Sequence, residues 1–222
     1  MPQRLQKNCS PAMCIRYSNR HSRLCTQVAG GENLRNEIKV QVTATEEKMK
    51  AKEIAEDARD GFYDLIIFSD ADLDNRVRTA ASKCKEYDRS NPTARIYETI
   101  FPENTGPIID TNPENEPAEV MKVVSRIQTL GKDHQLTSLA AYLTEGVEKS
   151  NEYIKQYLAS IAKVGMVDAE LQIAKANLIK QYIANMFEAE KMFGRKYAAR
   201  LFPKLNTNSS DAEENVEPAL AK

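Results

Sequence analysis

The three-four spacing of apolar residues constrains this chain more than any other feature, because it recurs from residue 32 almost to residue 205. Apolar side chains at such intervals lie on one face of an α-helix. We therefore predict a long helix from Glu32 to Phe68 and a second helix that begins at Ser69, whose hydroxyl would cap it. The first helix would pack through Leu34, Ile38, Val42, Thr45, Met49, Ile54, Ala58, Phe62 and Leu65.

The middle of the chain shows helix start and stop signals. Asn91 and Pro92 would open a short helix that runs to Ile100, because proline suits the first helical position. Pro117 opens another helix, and Gly131 ends it in the manner of a C-cap. The sequence therefore predicts two further helices before residue 132.

A longer apolar stripe follows Asp133 and continues for about eight turns. Ile154 lies in the middle of this stripe, and we expect its side chain in the core. Gly165 would break the helix, and Asp168 would cap the last one. The last two helices would then form an antiparallel hairpin.

These segments predict an all-α fold, an antiparallel helical bundle of four main helices plus one short helix. The apolar faces are broad, and broad faces need several neighbouring helices rather than a single coiled-coil seam. The bundle would span residues 32–205, between a basic, disordered arm at 1–31 and an acidic, disordered tail at 206–222. The alternative is a βαβαβ unit with strands at 38–42, 64–68 and 94–101.

The first 31 residues differ from the rest because they contain no Asp or Glu. An Arg-rich, acid-free segment of this kind is compatible with an organellar presequence, with a disordered arm or with a start codon assigned too far upstream. The cations of this stretch are Arg4, Lys7, Arg16, Arg20 and Arg23.

Three of the four cysteines also lie in this stretch. One interpretation is a zinc site formed by Cys9, Cys14, His21 and Cys25, because thiolates and imidazole are common zinc ligands. Their spacing fits no common zinc finger, so we favour free thiols in a reducing compartment.

No motif in the sequence supplies a complete catalytic or metal site. Asp70, Asp72 and Asp74 resemble the start of a calcium loop, but Asn75 and Ala81 replace the glycine and the acid that such a loop needs. Bundles that hold two iron ions use Glu-x-x-His pairs, and the sequence has none on its long helices. We therefore expect that the protein binds no cofactor and no metal and is not an enzyme.

The balance of charge narrows the choice of partners. The net charge of −1 gives no global attraction to nucleic acid or to an anionic membrane. The sequence has no run of about 18 apolar residues, which a membrane-spanning helix would need. We expect a cytoplasmic protein.

The end of the last predicted helix is the most suggestive surface, because cations and aromatic rings alternate there. Apolar groups rimmed by cations are typical of interfaces. Residues 102–119 carry five acids and no Lys or Arg, so they could form the other half of a head-to-tail contact. The predicted interaction residues are Lys191, Phe193, Arg195, Lys196, Tyr197, Arg200 and Phe202.

The sequence therefore favours a non-catalytic structural, scaffold or adaptor protein that acts through protein–protein contacts or self-assembles into a homo-oligomer. The alternative is binding of an anionic ligand, a nucleic acid or an anionic lipid, through the basic aromatic end of the last helix. A third possibility is an enzyme with a carboxylate site that no known motif reveals.

Overall fold

A computed structural model describes residues 4–203, and all regular structure within that range is helical. The prediction of an all-α fold is confirmed, and the βαβαβ alternative is wrong because residues 38–42 and 64–68 lie inside one helix. The helices are α1 (Pro11–Cys25), α2 (Glu32–Ser90), α3 (Ile96–Ile100), α4 (Gly106–Ile109), α5 (Glu116–Gln128), α6 (Ser138–Phe193) and α7 (Arg195–Ala198), and a 3₁₀ turn at Ala199–Leu201 follows.

Helix α2 runs without a break through Ser69, where the sequence predicts a helix start. The Ser69 hydroxyl donates a hydrogen bond to the Ile66 carbonyl oxygen at 2.9 Å, so it bonds back to its own helix instead of capping a new one. The helix start predicted at Ser69 is therefore wrong, and Asp70 and Asp74 lie in the middle of a helix.

Helix α6 likewise continues through Gly165, so the predicted hairpin at this glycine is wrong. A glycine inside a helix costs about 1 kcal/mol relative to alanine, which a helix of 56 residues tolerates. Because both predicted breaks are absent, two long helices replace four of the predicted ones. The antiparallel bundle of four main helices is therefore not confirmed.

The chain divides into two compact units, each of which contains one section of α2 and one of α6. Within the described residues, the α1 unit comprises 4–51 and 168–203, and the α5 unit comprises 52–167. Within the α1 unit the two long helices run antiparallel. Lys48 bonds Glu170 at 2.8 Å, and Gln181 bonds Glu37 at 2.9 Å, so the residue numbers rise along one helix as they fall along the other.

Helix α1 is part of the core of its unit, and the prediction that residues 1–31 lie outside the fold is wrong. The Ser10 hydroxyl caps the helix by accepting a hydrogen bond from the Met13 amide at 3.3 Å. The buried face of α1 is rich in small and polar side chains, so it carries little apolar periodicity. Its buried residues are Cys14, Ile15, Ser18, His21, Ser22 and Cys25. The acidic tail predicted at 206–222 lies outside the described residues.

The α5 unit has a separate apolar core, to which α5 and the sections of α2 and α6 all contribute. Leu73, Val123 and Leu143 represent the three helices in this core, and each is fully buried. Along the apolar stripe of α6, the side chains become more exposed after Ser150. Ile154 is only half-buried, and Ile161 is 44% exposed. The prediction that Ile154 is a core residue is therefore wrong.

Arg76 joins α2 to α6 inside the α5 unit. Its guanidinium donates to the Tyr142 carbonyl oxygen at 2.6 Å, to Asp72 at 3.0 Å and to Glu145 at 3.2 Å. Gly146 makes room for this side chain, because a Cβ at that position would lie 2.7 Å from the Arg76 Cδ. The same guanidinium lies over the Tyr142 ring, 4.7 Å from its centre.

Within residues 4–203, none of the helices combines the length and the apolar character that crossing a membrane requires.

Candidate functional site

The predicted interaction site divides into an exposed part and a buried part. Lys191, Arg195, Lys196 and Arg200 are all exposed. Lys191 forms an ion pair with Glu188 at 2.9 Å, which reduces the charge that it offers to a partner.

The three aromatic residues of the predicted site have different environments. Tyr197 is 43% exposed, and the Arg200 guanidinium lies 5.9 Å from the centre of its ring. Phe193 is half-buried, with its ring 5.9 Å from that of Tyr197. Phe202 is only 5% exposed and stacks on His21 at 4.2 Å. The prediction that Phe202 belongs to the interaction surface is therefore wrong, because its ring fills the core.

The turn after α6 explains why Phe202 points inward. Gly194 has φ +74°, a conformation that glycine adopts without strain, and it ends α6. Helix α7 and the 3₁₀ turn follow it and carry Leu201 and Phe202 into the core of the α1 unit. The Leu201 carbonyl oxygen then accepts a hydrogen bond from His21 Nδ1 at 2.8 Å.

His21 and Asn185 form a hydrogen-bonded pair in the core of the α1 unit, and both are fully buried. Since His21 Nδ1 donates to Leu201, its Nε2 is the acceptor for the Asn185 amide at 3.1 Å. The same amide donates to the Leu34 carbonyl oxygen at 2.7 Å, and its oxygen accepts from Gln181 at 2.9 Å. The pair thus ties α1, α2, α6 and the C-terminal turn together.

Burial lowers the pKa of His21 to about 4, although the bond to the Leu201 carbonyl opposes that shift. The imidazole is therefore neutral near pH 7, and it is enclosed by rings and backbone rather than open to a substrate. Burial also raises the pKa of Cys25 to about 11 and that of Cys14 to about 12, with Cys9 adding to the latter shift. These thiols are protonated and poorly reactive near neutral pH.

The bonding of His21 counts against the zinc interpretation of this cluster. Cys25 Sγ lies 3.6 Å from His21 Nε2, a separation that two ligands of one zinc ion could have. Both ring nitrogens of His21, however, are already bonded, one to Leu201 and the other to Asn185. Among residues 4–203, no group of three or more His, Cys, Asp or Glu side chains has an arrangement that could hold a metal ion.

The α5 unit contains a buried carboxyl group, Glu116, at the first position of α5. Glu116 is fully buried, and within the described residues neither of its oxygens has a hydrogen-bond partner when the group is ionised. Asp70 and Asp74, one turn apart on α2, lie beside it. Asp74 also forms an ion pair with Arg78 at 3.2 Å. Two carboxylates cannot bond each other without a proton, so this cluster is stable only if it holds one.

The energetics of the cluster agree with its geometry. Burial, together with Asp70 and Asp74, raises the pKa of Glu116 to about 9. Burial also raises the pKa of Asp74, against the opposing effect of Arg78. Glu116 is therefore protonated at neutral pH and can donate a hydrogen bond to a neighbouring carboxylate. Its complete burial leaves no atom in contact with a substrate in solution.

Neither buried polar group was predicted from the sequence as a pair or a cluster. His21 and Asn185 are 164 positions apart, and Glu116 is 42 positions from Asp74. The one signal available for Glu116 was its place beside Pro117 at a helix start, which predicts an exposed acid near the positive end of the helix dipole.

Comparison of the chain with models of protein families, with curated proteins and with solved structures produced no match.

Proposed function

We propose that this protein is a non-catalytic scaffold or adaptor that acts through protein–protein contacts, including contacts with further copies of itself. The observation that supports this proposal is a group of large apolar side chains exposed on both long helices of the α5 unit. Soluble proteins rarely expose such groups together unless another molecule covers them. The group comprises Ile54, Tyr63, Leu65, Ile67 and Phe68 on α2, and Leu158 and Ile161 on α6.

The two helices pack side by side along this stretch. The Tyr63 and Tyr157 rings lie 5.6 Å apart, so this stretch of α2 faces the stretch of α6 that carries Leu158 and Ile161. Phe68 is 67% exposed and Leu158 is 55% exposed, although both are long apolar side chains. Covering them with a partner would contribute roughly 1.5–3 kcal/mol for each side chain that becomes fully buried.

Free thiols support the cytoplasm as the proposed location. All four cysteines are unpaired, and three of them are buried in helical cores. Disulfide bonds form in secreted proteins, whereas reduced thiols are usual in a reducing compartment.

Sedimentation velocity at increasing protein concentration tests the proposal. The wild-type chain should show a concentration-dependent mass, and Phe68→Ser with Leu158→Ser should reduce that dependence without lowering the unfolding temperature. Val40→Ser is the matched control, because Val40 is 65% exposed but lies in the α1 unit. A wild-type chain that stays monomeric, and whose apolar group binds no protein partner in cross-linking experiments, would contradict the proposal.

Binding of an anionic ligand at the end of α6 is the second candidate. It is supported by the exposed ring of Tyr197 beside exposed cations, since aromatic rings and cations together bind nucleic acids and anionic lipids. Burial of Phe202 removes one of the predicted rings from this surface. Loss of polyanion binding in an Arg195→Gln, Lys196→Gln, Arg200→Gln variant would support this function over the scaffold.

A catalytic carboxylate is the third candidate, and Glu116 is the group that it would use. Nothing in the geometry exposes this carboxyl to a substrate, so we rank this candidate last.

A further inference from the structure

Charge is divided unevenly between the two units, although the whole chain is almost neutral. In the described part of the α1 unit, residues 4–51 and 168–203, 15 Lys and Arg stand against 8 Asp and Glu. In the α5 unit, residues 52–167, 14 Lys and Arg stand against 20 Asp and Glu. The units therefore carry about +7 and −6, which are nearly equal and opposite.

Part of the positive charge forms a row on one face of α1. Arg16, Arg20 and Arg23 follow the i, i+4, i+7 spacing of one helix face, and all three are exposed. Helix α1 contains no acid. Within residues 4–203 none of these arginines forms an ion pair, so the row offers its full charge to a partner.

The α5 unit has an acidic row with the same spacing. Glu53, Asp57, Asp60 and Asp64 follow one exposed face of α2 at intervals of four, three and four residues. Asp60 bonds Arg59 at 2.7 Å, whereas the other three form no ion pair within the described residues. The row is longer than the arginine row by one member.

Apolar and small residues border the acidic row at the same intervals. Each follows an acid by one position, and the row consists of Ile54, Ala58, Gly61 and Leu65. Ile54 is 58% exposed, and a Cβ added to Gly61 would have no neighbour within 4 Å. Another helix could approach closely here, because small side chains leave the α2 backbone accessible.

The two charged rows match in either direction. In a parallel contact the arginines meet Glu53, Asp57 and Asp60, and in an antiparallel contact they meet Asp64, Asp60 and Asp57. In both cases the intervals agree, and equal intervals give equal distances along two helices, about 10.5 Å for seven residues. Either direction therefore forms three pairs of opposite charge.

We infer that the arginine row of α1 docks on the acidic row of α2 in a second copy of this chain, in a head-to-tail contact. This inference rests on the proposed self-association and names the surfaces that make it. A second copy is the occupant that the charges favour, because it supplies an acidic helix face with matching intervals. A nucleic acid would meet the same arginines but would be repelled by the net charge of the α5 unit.

Exposed ion pairs contribute little individually, so the contact is weak and depends on salt. We expect association in the tens-of-micromolar range at 50 mM salt, and at least about tenfold weaker association at 500 mM salt. Sedimentation velocity of the full chain at both salt concentrations measures this change.

Neutral variants identify the two surfaces. The first replaces Arg16, Arg20 and Arg23 with glutamine. The second changes Glu53→Gln, Asp57→Asn and Asp64→Asn. Asp60 is left unchanged because it pairs with Arg59. Each variant alone should be monomeric, because one surface of the pair is missing. An equimolar mixture should form a 1:1 heterodimer and stop there, since only one contact remains possible between the two variants.

The matched control replaces Lys39, Lys50 and Lys180 with glutamine. These lysines are exposed in the α1 unit, and the change in net charge equals that of the arginine variant. The control should associate as the wild type does.

Three results would overturn the inference. If the wild type oligomerises but neither neutral variant weakens the oligomer, self-association stands and this contact is wrong. If the wild type is monomeric at 100 μM in 50 mM salt, both the contact and self-association are wrong. If the wild type is monomeric and binds a random duplex DNA in a manner that the arginine variant loses, the arginine row binds a polyanion instead.

Discussion

The two units bury polar groups in opposite ways. In the α1 unit, His21 and Asn185 bond each other and two backbone carbonyl groups, so the polar atoms of this pair carry no charge and have partners. In the α5 unit, Glu116 lies among acids and has no partner unless it is protonated. The α1 unit therefore stabilises its buried polar pair with complementary hydrogen-bonding groups, whereas the α5 unit needs a proton from solvent to neutralise Glu116.

This difference gives the units opposite responses to pH. The folded pKa of His21 is about 4 against an ordinary value of 6.5, so its contribution to stability is present above pH 6.5 and is lost as the pH falls towards 4. The folded pKa of Glu116 is about 9 against 4.5, so its contribution is present below pH 4.5 and is lost as the pH rises through 9. Acid therefore destabilises the α1 unit through His21, and base destabilises the α5 unit through Glu116.

The largest expected effect comes from deleting residues 1–26, which removes α1 from its unit. Several fully buried side chains leave the core, including Cys14, His21 and Cys25, and each large core loss costs about 2–5 kcal/mol. We expect a loss of at least about 5 kcal/mol in the α1 unit. Hydrogen exchange measured by mass spectrometry should show lost protection at 34–45 and 178–189.

Protection at 120–147 reports on the α5 unit in the same experiment. Deletion of residues 206–222, which the sequence predicts to lie outside the bundle, is the control and should leave both regions protected. Retained protection at 178–189 without α1 would show that the α1 unit does not need this helix.

The comparison also shows how much a sequence of this kind can predict. The three-four spacing identified α2, α5 and α6 because their buried faces are apolar, as at Leu73, Val123 and Leu143. It missed α1, whose buried face consists of Cys, Ser and His apart from Ile15 and therefore resembles a polar arm.

Helix breaks and long-range pairs lay beyond the sequence pattern for a physical reason. A glycine such as Gly165, or a hydroxyl such as that of Ser69, costs a long helix too little to end it. The Asn185–His21 bond depends on the path of the chain between the two residues, which no local period encodes. The same holds for Phe202, whose burial follows from the turn at Gly194.

Replacing Asn185 with alanine should break the polar network of the α1 unit. The change leaves His21 Nε2 without its donor in the core, and an unsatisfied buried group costs about 1–3 kcal/mol. It also removes the second bond of the Leu34 carbonyl oxygen, which belongs to helix α2. We expect a loss of about 3 kcal/mol in chemical denaturation. Gln181→Ala removes only a partly exposed partner of Asn185 and should cost less than about 1 kcal/mol. Equal losses in both variants would contradict the network.

Glu116→Gln should remove the response of the α5 unit to base. Glutamine keeps the shape of the side chain but needs no proton, so the variant should not lose stability as the pH rises. Relative to the variant, the wild type should lose roughly 2 kcal/mol between pH 6 and pH 8, since one pKa unit corresponds to about 1.4 kcal/mol and some relaxation offsets it.

Denaturation of both proteins at pH 5, 6, 7, 8 and 9 measures the difference. The acid-side loss that His21 causes should remain in Glu116→Gln, because it belongs to the other unit. Parallel curves for the wild type and the variant from pH 6 to 9 would show that Glu116 is ionised in the folded chain. If an added divalent cation stabilised the wild type but not the variant, the cluster would hold a bound cation in place of the shared proton.

The smallest expected effect concerns the Tyr182 hydroxyl, which with that of Ser18 departs from the pattern of the α1 unit. The Tyr182 hydroxyl is buried and has no hydrogen-bond partner within the described residues, while its ring packs edge-on against His21 and Phe202. Burial raises the pKa of Tyr182, so the hydroxyl stays neutral and its desolvation cost is far below that of the Glu116 carboxylate. Tyr182→Phe keeps both ring contacts and removes only the unpartnered oxygen.

We therefore expect Tyr182→Phe to change the free energy of unfolding by no more than about 1 kcal/mol, in the stabilising direction. The shift should be the same at pH 5 and pH 8, unlike that of Glu116→Gln, because no proton is exchanged in this range. Denaturation at the two pH values measures it. A loss above about 1 kcal/mol would show that the hydroxyl has a partner in the core, such as a buried water.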